Sequence, residues 1–146
     1  MTIWVDGDGC PKRIREIACK AGIQRGVSVR IAADRKVDIP RHELVSLELV
    51  EIQEGSSDAY IASRVMPGDL VITRDVRLME EVIRKGAWCI DDSGKTYTSE
   101  NIRERLSLLQ FMEGVREAEP HGTGRRKKRH GGSSSAFARA LEQVLK

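Results

Sequence analysis

The chain has 146 residues, of which 40% are hydrophobic and 32% charged, and this composition predicts one soluble domain over residues 1–146. The formal net charge is +3. No apolar stretch approaches the ~20 residues that cross a bilayer, and the first residues lack the pattern of a secretory signal, so we expect no membrane association. The three cysteines form no CxxC pair, which argues against a disulfide framework or a structural zinc site and predicts a cytoplasmic location.

Apolar runs of strand length alternate with segments of helical period along most of the chain. The predicted strands are Thr2 to Val5, Val27 to Ala33, part of Leu44 to Ile52, "DLVIT" and "AWCI". The predicted helices run from Pro11 to a stop at Gly22, from Ser56 or Ser57 to Pro67, around Leu78 to Ile83 with a stop at Gly86, and from about Ser99 to Arg116 with Ile102, Leu106, Leu109 and Met112 on the apolar face. This alternation predicts an α/β fold, a three-layer α/β/α sandwich with a mostly parallel central sheet.

The hydrophobic pattern is lost between about residues 119 and 135, where Gly, Ser, Arg and Lys accumulate. This composition predicts a flexible basic segment, followed by a C-terminal amphipathic helix at about 136–145. The segment is interpreted either as a solvated linker or as a contact for the phosphate backbone of nucleic acid. Its basic residues are Arg125, Arg126, Lys127, Lys128 and Arg129.

Carboxylates follow the predicted strands where a ligand crevice is expected. Asp6 and Asp8 follow the first strand, Asp75 follows "VIT", and Asp58 lies in the first turn of a helix. Ligands of open α/β sheets bind beyond the carboxyl ends of the strands. Clustered carboxylates need protons or a cation, and oxygen-only ligands favour Mg²⁺ or Mn²⁺, which can activate water for phosphodiester hydrolysis. Each acid also has a structural interpretation: Asp8 as a turn residue, Asp58 at a helix dipole and Asp75 as a helix cap.

Other polar residues are less specific. Asp91 and Asp92 stand beside Ser93-Gly94 and are typical of a turn. Cys10 precedes a helix N-terminus, where a thiol can be reactive, but a small packed thiol is the favoured interpretation. Lys12 and Arg13 can steer phosphate towards the crevice or form a solvated helix face.

Four segments carry a family resemblance: "VDGDGCP", "GDLVITRDVRL", "G.TYT..NI..RL" and "F...LE". In this order they resemble the YaiI/YqxD family of bacterial proteins of unknown function, over nearly the whole chain. The family usually reads VDADACP at the first motif, so Gly7 and Gly9 replace two alanines here, and the substitutions are expected to loosen the loop. The segment at 119–135 departs most from the family pattern.

The family is grouped with PIN-like domains, and the resemblance therefore implies an α/β/α sandwich with a metal-dependent ribonuclease site. PIN-type nucleases place one acid after the first strand, matched by Asp6, and another in a D..IA helix, matched by Asp58. A third follows a strand in a T.D pattern, matched by Asp75. The usual additional Glu has no clear counterpart; Glu43 and Glu54 are the nearest candidates, and Asp8 can compensate.

The leading hypothesis is a Mg²⁺- or Mn²⁺-dependent nuclease acting on RNA, with Asp6, Asp58 and Asp75 as metal ligands and Asp8 as a fourth catalytic group. Arg74, Lys12, Arg13 and the five basic residues at 125–129 are its predicted nucleic-acid contacts. One alternative is a non-catalytic nucleic-acid-binding or regulatory module. Another is a phosphatase resembling the haloacid dehalogenases, with Asp6 as nucleophile, Asp8 as acid/base, and Thr73, Lys85 and Asp91-Asp92 in the later roles.

Overall fold

Strands and helices alternate through the chain, and a computed structural model describes them over residues 1–52, 56–118 and 134–146. The strands are β1 (Thr2–Asp6), β2 (Ser28–Ala33), β3 (Val45–Leu49), β4 (Leu70–Ile72), β5 (Trp88–Ile90) and β6 (Thr96–Tyr97). The helices are α1 (Lys12–Arg25), α2 (Ser56–Arg64), α3 (Val76–Arg84), α4 (Asn101–Ala118) and α5 (Ser134–Leu145). None of these helices combines the length and apolar character needed to cross a membrane.

The strands form one sheet in the order β3-β2-β1-β4-β5-β6, parallel from β3 to β5, with β6 antiparallel at the edge. Because side chains alternate along a strand, β1 sends Ile3 and Val5 to one face and Trp4 to the other. Helices α1 and α5 cover the first face, and α2, α3 and the start of α4 cover the second. The protein is therefore a three-layer α/β/α sandwich with a mostly parallel sheet, as the alternation of elements predicted.

Several predicted boundaries were wrong. Helix α1 does not stop at Gly22 but continues to Arg25, and Gly26, in the left-handed conformation (φ 69°), ends it. The strand β6 was not predicted, and α5 begins at Ser134, two residues before the predicted start and inside the predicted flexible segment. Met112, placed on the core side of α4, is 46% exposed. Residues 119–133, which make up most of the predicted flexible segment, lie outside the described residues.

Candidate functional site

The site lies where the order of the strands reverses. Strands β1 and β4 are parallel neighbours, but they lead into opposite halves of the sheet, β2 and β3 on one side and β5 and β6 on the other. In open α/β sheets such a switch point opens a crevice at the carboxyl ends of the strands. Asp6 is the last residue of β1, and Thr73 and Asp75 follow β4 at the same edge.

Asp6 is buried at this edge, with 7% of its surface exposed. Burial, helped by the negative charge of Asp8, raises the pKa of its carboxyl. A hydrogen bond of 3.1 Å from Thr73 Oγ1 to Asp6 Oδ2 acts against that rise by stabilising the charged form. The Thr73 hydroxyl also accepts the backbone N–H of Asp75 at 3.0 Å, so one side chain connects two acids.

Asp58 reaches the same point from the first turn of α2 and hydrogen-bonds to the carboxyls of both Asp75 and Asp6. Burial, the hydrogen bond with Asp75 and the nearby charges raise the pKa of Asp58 to about 8. At neutral pH the Asp58 carboxyl therefore holds a proton and donates a hydrogen bond within the group. We call Asp6, Asp58 and Asp75 the acid cluster.

Asp75 is held in its charged form within the acid cluster. Its side chain caps α3 by accepting the backbone N–H groups of Arg77 at 2.9 Å and Leu78 at 3.2 Å. Burial opposes its ionisation, but the hydrogen bonds from Asp58 and from these two N–H groups outweigh burial and lower the pKa of Asp75. The helix-cap interpretation of Asp75 is thus confirmed, and the cap does not remove Asp75 from the acid cluster.

Asp8 is exposed and takes a different role. Its Oδ1 accepts the backbone N–H of Asp34 at 3.1 Å, and its Oδ2 accepts the hydroxyl of Ser57. Asp8 thereby ties the β1–α1 loop to the end of β2 and to the first turn of α2. Because Ser57 directly precedes Asp58, Asp8 positions that member of the acid cluster.

Asp34 was not among the predicted site residues, although it follows β2 at the same sheet edge as the other acids. That position after a strand was the available signal. No local pattern indicated that the hydroxyl of Ser57 contacts Asp8, because the two residues are 49 positions apart in the chain.

The acid cluster can be tested for its fit to a divalent cation. Its donors are carboxylate oxygens that hydrogen-bond through the proton on Asp58. When that proton leaves, a hard cation can offset the negative charge in its place. Across residues 1–52, 56–118 and 134–146, no group of three or more His, Cys, Asp or Glu side chains is arranged to hold a metal ion. Mg²⁺, however, is commonly held by one or two carboxylates, with water and substrate phosphate completing its shell. The donor chemistry therefore fits a cation that binds together with substrate.

Arg74 lies between Thr73 and Asp75 in the chain, at the same edge of the sheet as the acid cluster. Its guanidinium is paired with the carboxylate of Asp92, whose side chain is only 4% exposed, whereas the Arg74 side chain is 42% exposed. The hydrogen bond and the charge of Asp92 raise the pKa of Arg74. An arginine has five N–H donors, so this pairing leaves donors free for a phosphate. Asp92 is therefore more than the turn residue that its sequence context indicated.

The other predicted nucleic-acid contacts are less closely placed. Lys12 and Arg13 are exposed in the first turn of α1, and Lys12 has a surface partner, Glu16, at 4.0 Å. The basic residues Arg125, Arg126, Lys127, Lys128 and Arg129 lie outside the described residues. Of the two candidates for the additional PIN-type acid, Glu43 precedes β3 and so lies at the opposite sheet edge, and Glu54 also lies outside the described residues.

The remaining polar candidates have structural partners. Asp91 accepts the backbone N–H groups of Ser93 and Lys95 and the hydroxyl of Tyr97, so its role in the turn is confirmed. Burial opposes the charge on Asp91, but these hydrogen bonds outweigh burial and lower its pKa. Cys10 is buried, and burial raises the pKa of its thiol, as expected of a packed cysteine.

Lys85 lies away from the acid cluster. It forms the C-cap of α3, just before β5 begins, and its Nζ donates to the backbone carbonyl of Ala62. The beginnings of parallel strands lie at the edge opposite to Asp6. This placement separates Lys85 from Asp6 and Thr73, which a phosphatase of the haloacid dehalogenase type would need together.

The fold and the site define an α/β/α sandwich protein with clustered acids at the switch point of its sheet. The chain belongs to the YaiI/YqxD family, described as an uncharacterized family, whose profile matches residues 4–146. It is 39% identical to a UPF0178 protein of Syntrophotalea carbinolica, with 99% of this chain and 97% of that protein covered. It is 41% identical to a UPF0178 protein of Syntrophobacter fumaroxidans, covering 81% and 77% of the two chains. No solved structure matches the chain significantly.

Proposed function

We propose that this protein is a divalent-metal-dependent nuclease of the PIN-like type that hydrolyses RNA phosphodiester bonds. The observation that carries the proposal is the hydrogen-bonded acid cluster of Asp6, Asp58 and Asp75 at the switch point of a parallel sheet. The three acids come from three separate elements, β1, α2 and the β4–α3 turn. The expected PIN-like pattern supports the same assignment.

Bound Mg²⁺ or Mn²⁺ would supply an activated water and neutralise charge on the scissile phosphate. Asp6, kept in place by the Thr73 hydroxyl, and Asp58, once it has lost its proton, would hold the ion. Asp75 is fixed by the N–H groups of α3 and orients Asp58 through their hydrogen bond. Arg74, braced by Asp92, is placed to bind a phosphate oxygen of the substrate.

A second candidate function is a nucleic-acid-binding module without catalysis. The observation that favours it is that the acid cluster is already stabilised by the proton on Asp58 and by the N–H groups of α3, with no preformed three-ligand metal group among the described side chains. In this function Arg74, Lys12, Arg13 and the basic residues at 125–129 would bind phosphate, and binding would weaken steeply with salt. Mutation of Asp6 would leave that binding unchanged.

Calorimetric titration with Mn²⁺, with and without a non-hydrolysable RNA oligonucleotide, tests the nuclease proposal. We expect the wild-type protein to bind Mn²⁺ and the Asp6→Asn and Asp58→Asn variants to lose that binding. The control is Asp38→Asn, which removes an exposed carboxylate from the loop before β3. RNA cleavage in the presence of Mn²⁺ should disappear in the same two variants. If the wild-type protein binds RNA but no divalent ion at millimolar concentration, the nuclease proposal fails and the binding module replaces it.

A further inference from the structure

The second half of α4 carries an uncovered apolar surface. Ile102 and Leu106, in its first half, pack on the core beside α3. Further along, Leu108, Phe111, Met112 and Val115 are 49%, 67%, 46% and 37% exposed. Their spacing of three, one and three residues places them on one side of the helix. We call these four residues the α4 stripe.

A cleft of about 280 Å³ runs along one flank of the α4 stripe. It is lined by Val76 of α3 and by Arg105, Leu108, Leu109 and Met112 of α4. An apolar stripe beside a cleft marks a surface that another molecule covers.

Gly114 adds a second observation on the same part of the helix. Glycine weakens a helix relative to alanine, so a glycine inside a helix needs a reason. Gly114 does not have a positive φ, and a Cβ atom built on it meets nothing within 4 Å. Neither a turn nor a close contact within the described chain explains it. What it does provide is a flat place, beside the protruding Phe111 ring, that a neighbouring helix or aromatic ring can approach closely.

The segments outside the described residues do not offer a suitable cover. Residues 53–55 read QEG, and residues 119–133 read EPHGTGRRKKRHGGS. Neither contains a large apolar side chain, so neither can bury Phe111 and Leu108 in exchange for apolar surface of its own.

We propose that the α4 stripe is the dimer interface of this protein, with α4 packed antiparallel on α4 of a second copy. In a two-fold interface each contact occurs twice, because residue i of one copy meets residue j of the other and the reverse. Phe111 and Gly114 satisfy this rule: reversing the helix about a point between Met112 and Glu113 places each Phe111 ring over Gly114 of the other copy. One protruding ring and one flat position on the same helix therefore make the surface complementary to itself.

The interface is small, which sets its expected strength. Stable interfaces bury about 800 Å² per partner, and the exposed part of the α4 stripe covers only about two helical turns. The dimer is therefore expected to dissociate on dilution, with a midpoint in the micromolar range. The acid cluster takes no part in this contact, so a test of the dimer does not depend on whether the protein is a nuclease.

Sedimentation equilibrium between about 1 and about 200 µM, without RNA or metal, tests the proposal. We expect the wild-type mass to rise from 16.3 kDa towards twice that value. Phe111→Glu should remain monomeric because it buries a charge in the contact, and Gly114→Leu should remain monomeric because it fills the flat position. Gln24→Glu, at an exposed position of α1 on the opposite face of the sheet, should dimerise as the wild type does.

A cysteine crosslink locates the contact. Met112 lies next to the proposed two-fold axis, so Met112→Cys should form a covalent dimer on mild oxidation and Gln24→Cys, on the exposed side of α1, should not. The three native cysteines are buried and should not interfere. A wild-type protein that stays monomeric at about 200 µM would overturn the proposal and assign the α4 stripe to a different partner. A dimer that persists in Phe111→Glu would overturn it as well.

Discussion

Thr73 Oγ1 donates a hydrogen bond of 3.1 Å to Asp6 Oδ2 and so joins the ends of the two strands that flank the switch point. Thr73 is completely buried, and Asp6 is nearly so. A buried carboxylate is stabilised chiefly by the hydrogen bonds that replace water. The Thr73 hydroxyl is therefore the main side-chain support for the charge of Asp6.

Thr73→Val keeps the shape of this side chain and removes the hydroxyl. We expect it to lower the free energy of unfolding by about 1–3 kcal/mol, because Asp6 and the N–H of Asp75 both lose a partner. The affinity for Mn²⁺ should fall about 10- to 100-fold, as when a side chain that orients a metal ligand is removed. Thr73→Ser, which retains the hydroxyl, is the control for both measurements. Equal stability of the Val and Ser variants would show that the hydrogen bond contributes nothing.

The raised pKa of Asp58 predicts how stability depends on pH. Between the ordinary value of 3.8 and about 8, the folded protein holds a proton on Asp58 that the unfolded chain has released. Stability from this group is therefore greatest below pH 4 and falls as the pH rises towards 8. Asp75 has the opposite effect at acidic pH. Because its pKa is lowered in the folded protein, its contribution to stability is lost as the pH falls.

Asp58→Asn imitates the protonated form at every pH. At pH 9 we expect the variant to be more stable than the wild type by roughly 2 kcal/mol, less than the full shift implies because water screens a partly exposed group. At pH 5 the gap should be less than half as large, because the pH has crossed only the first part of the range between 3.8 and about 8. Thermal unfolding followed by circular dichroism at both pH values measures the difference. An equal gap at pH 5 and pH 9 would show that Asp58 does not titrate in this range.

The ion pair between Arg74 and Asp92 should be worth more than the surface ion pairs of this protein. Asp92 is 4% exposed, so Arg74→Ala removes a cation from a buried carboxylate and should destabilise the fold by about 2 kcal/mol. A double-mutant cycle with Asp92→Asn should return a coupling of about 1–2 kcal/mol. The matched control is the exposed pair of Arg84 and Glu80 on α3, at 2.5 Å, where we expect about 0.3–0.5 kcal/mol. Comparable couplings for the two pairs would contradict the buried character of Asp92.

Arg74 also has a predicted effect on RNA binding. If it contacts a phosphate, Arg74→Ala should weaken binding to all RNA sequences alike and reduce the slope of log affinity against log salt by about 1. Fluorescence anisotropy at several salt concentrations measures that slope. Arg84→Ala, at an exposed position on α3, is the control. An unchanged slope in Arg74→Ala would remove Arg74 from the RNA contact.

The sequence predicted the main features of the fold because they depend on local pattern. The apolar run of β1 and the acid that ends it are adjacent in the chain. Acids that follow parallel strands lie at the same edge of the sheet, at the carboxyl ends of those strands. The contacts between side chains could not be predicted in the same way. The bond between Ser57 and Asp8 joins residues 49 positions apart, and the pair of Arg74 and Asp92 depends on the exact position of the turn after β5.

The glycines of α1 show the same difference between what a local pattern predicts and what contacts with distant residues decide. Gly26 and Gly22 both lie near the end of α1, and sequence alone does not say which one stops the helix. Gly26 ends it through its left-handed conformation, whereas Gly22 lies inside it for a reason that comes from β2. The decisive neighbour, Val29, is seven residues away and belongs to a different layer of the fold.

Gly22→Ala therefore tests whether this glycine is required by packing. An added Cβ would lie 2.3 Å from Val29 Cγ2 and 2.8 Å from the carbonyl oxygen of Val27, so α1 must move away from the sheet. We expect a loss of about 1–3 kcal/mol in urea unfolding, although alanine is the better helix former. Gly114→Ala is the matched control, because open space surrounds it: at low protein concentration it should gain about 0.5–1 kcal/mol. Opposite signs at two helical glycines would show that contact with β2, and not helix propensity, selects glycine at position 22; a gain at both would refute the close packing of α1 on β2.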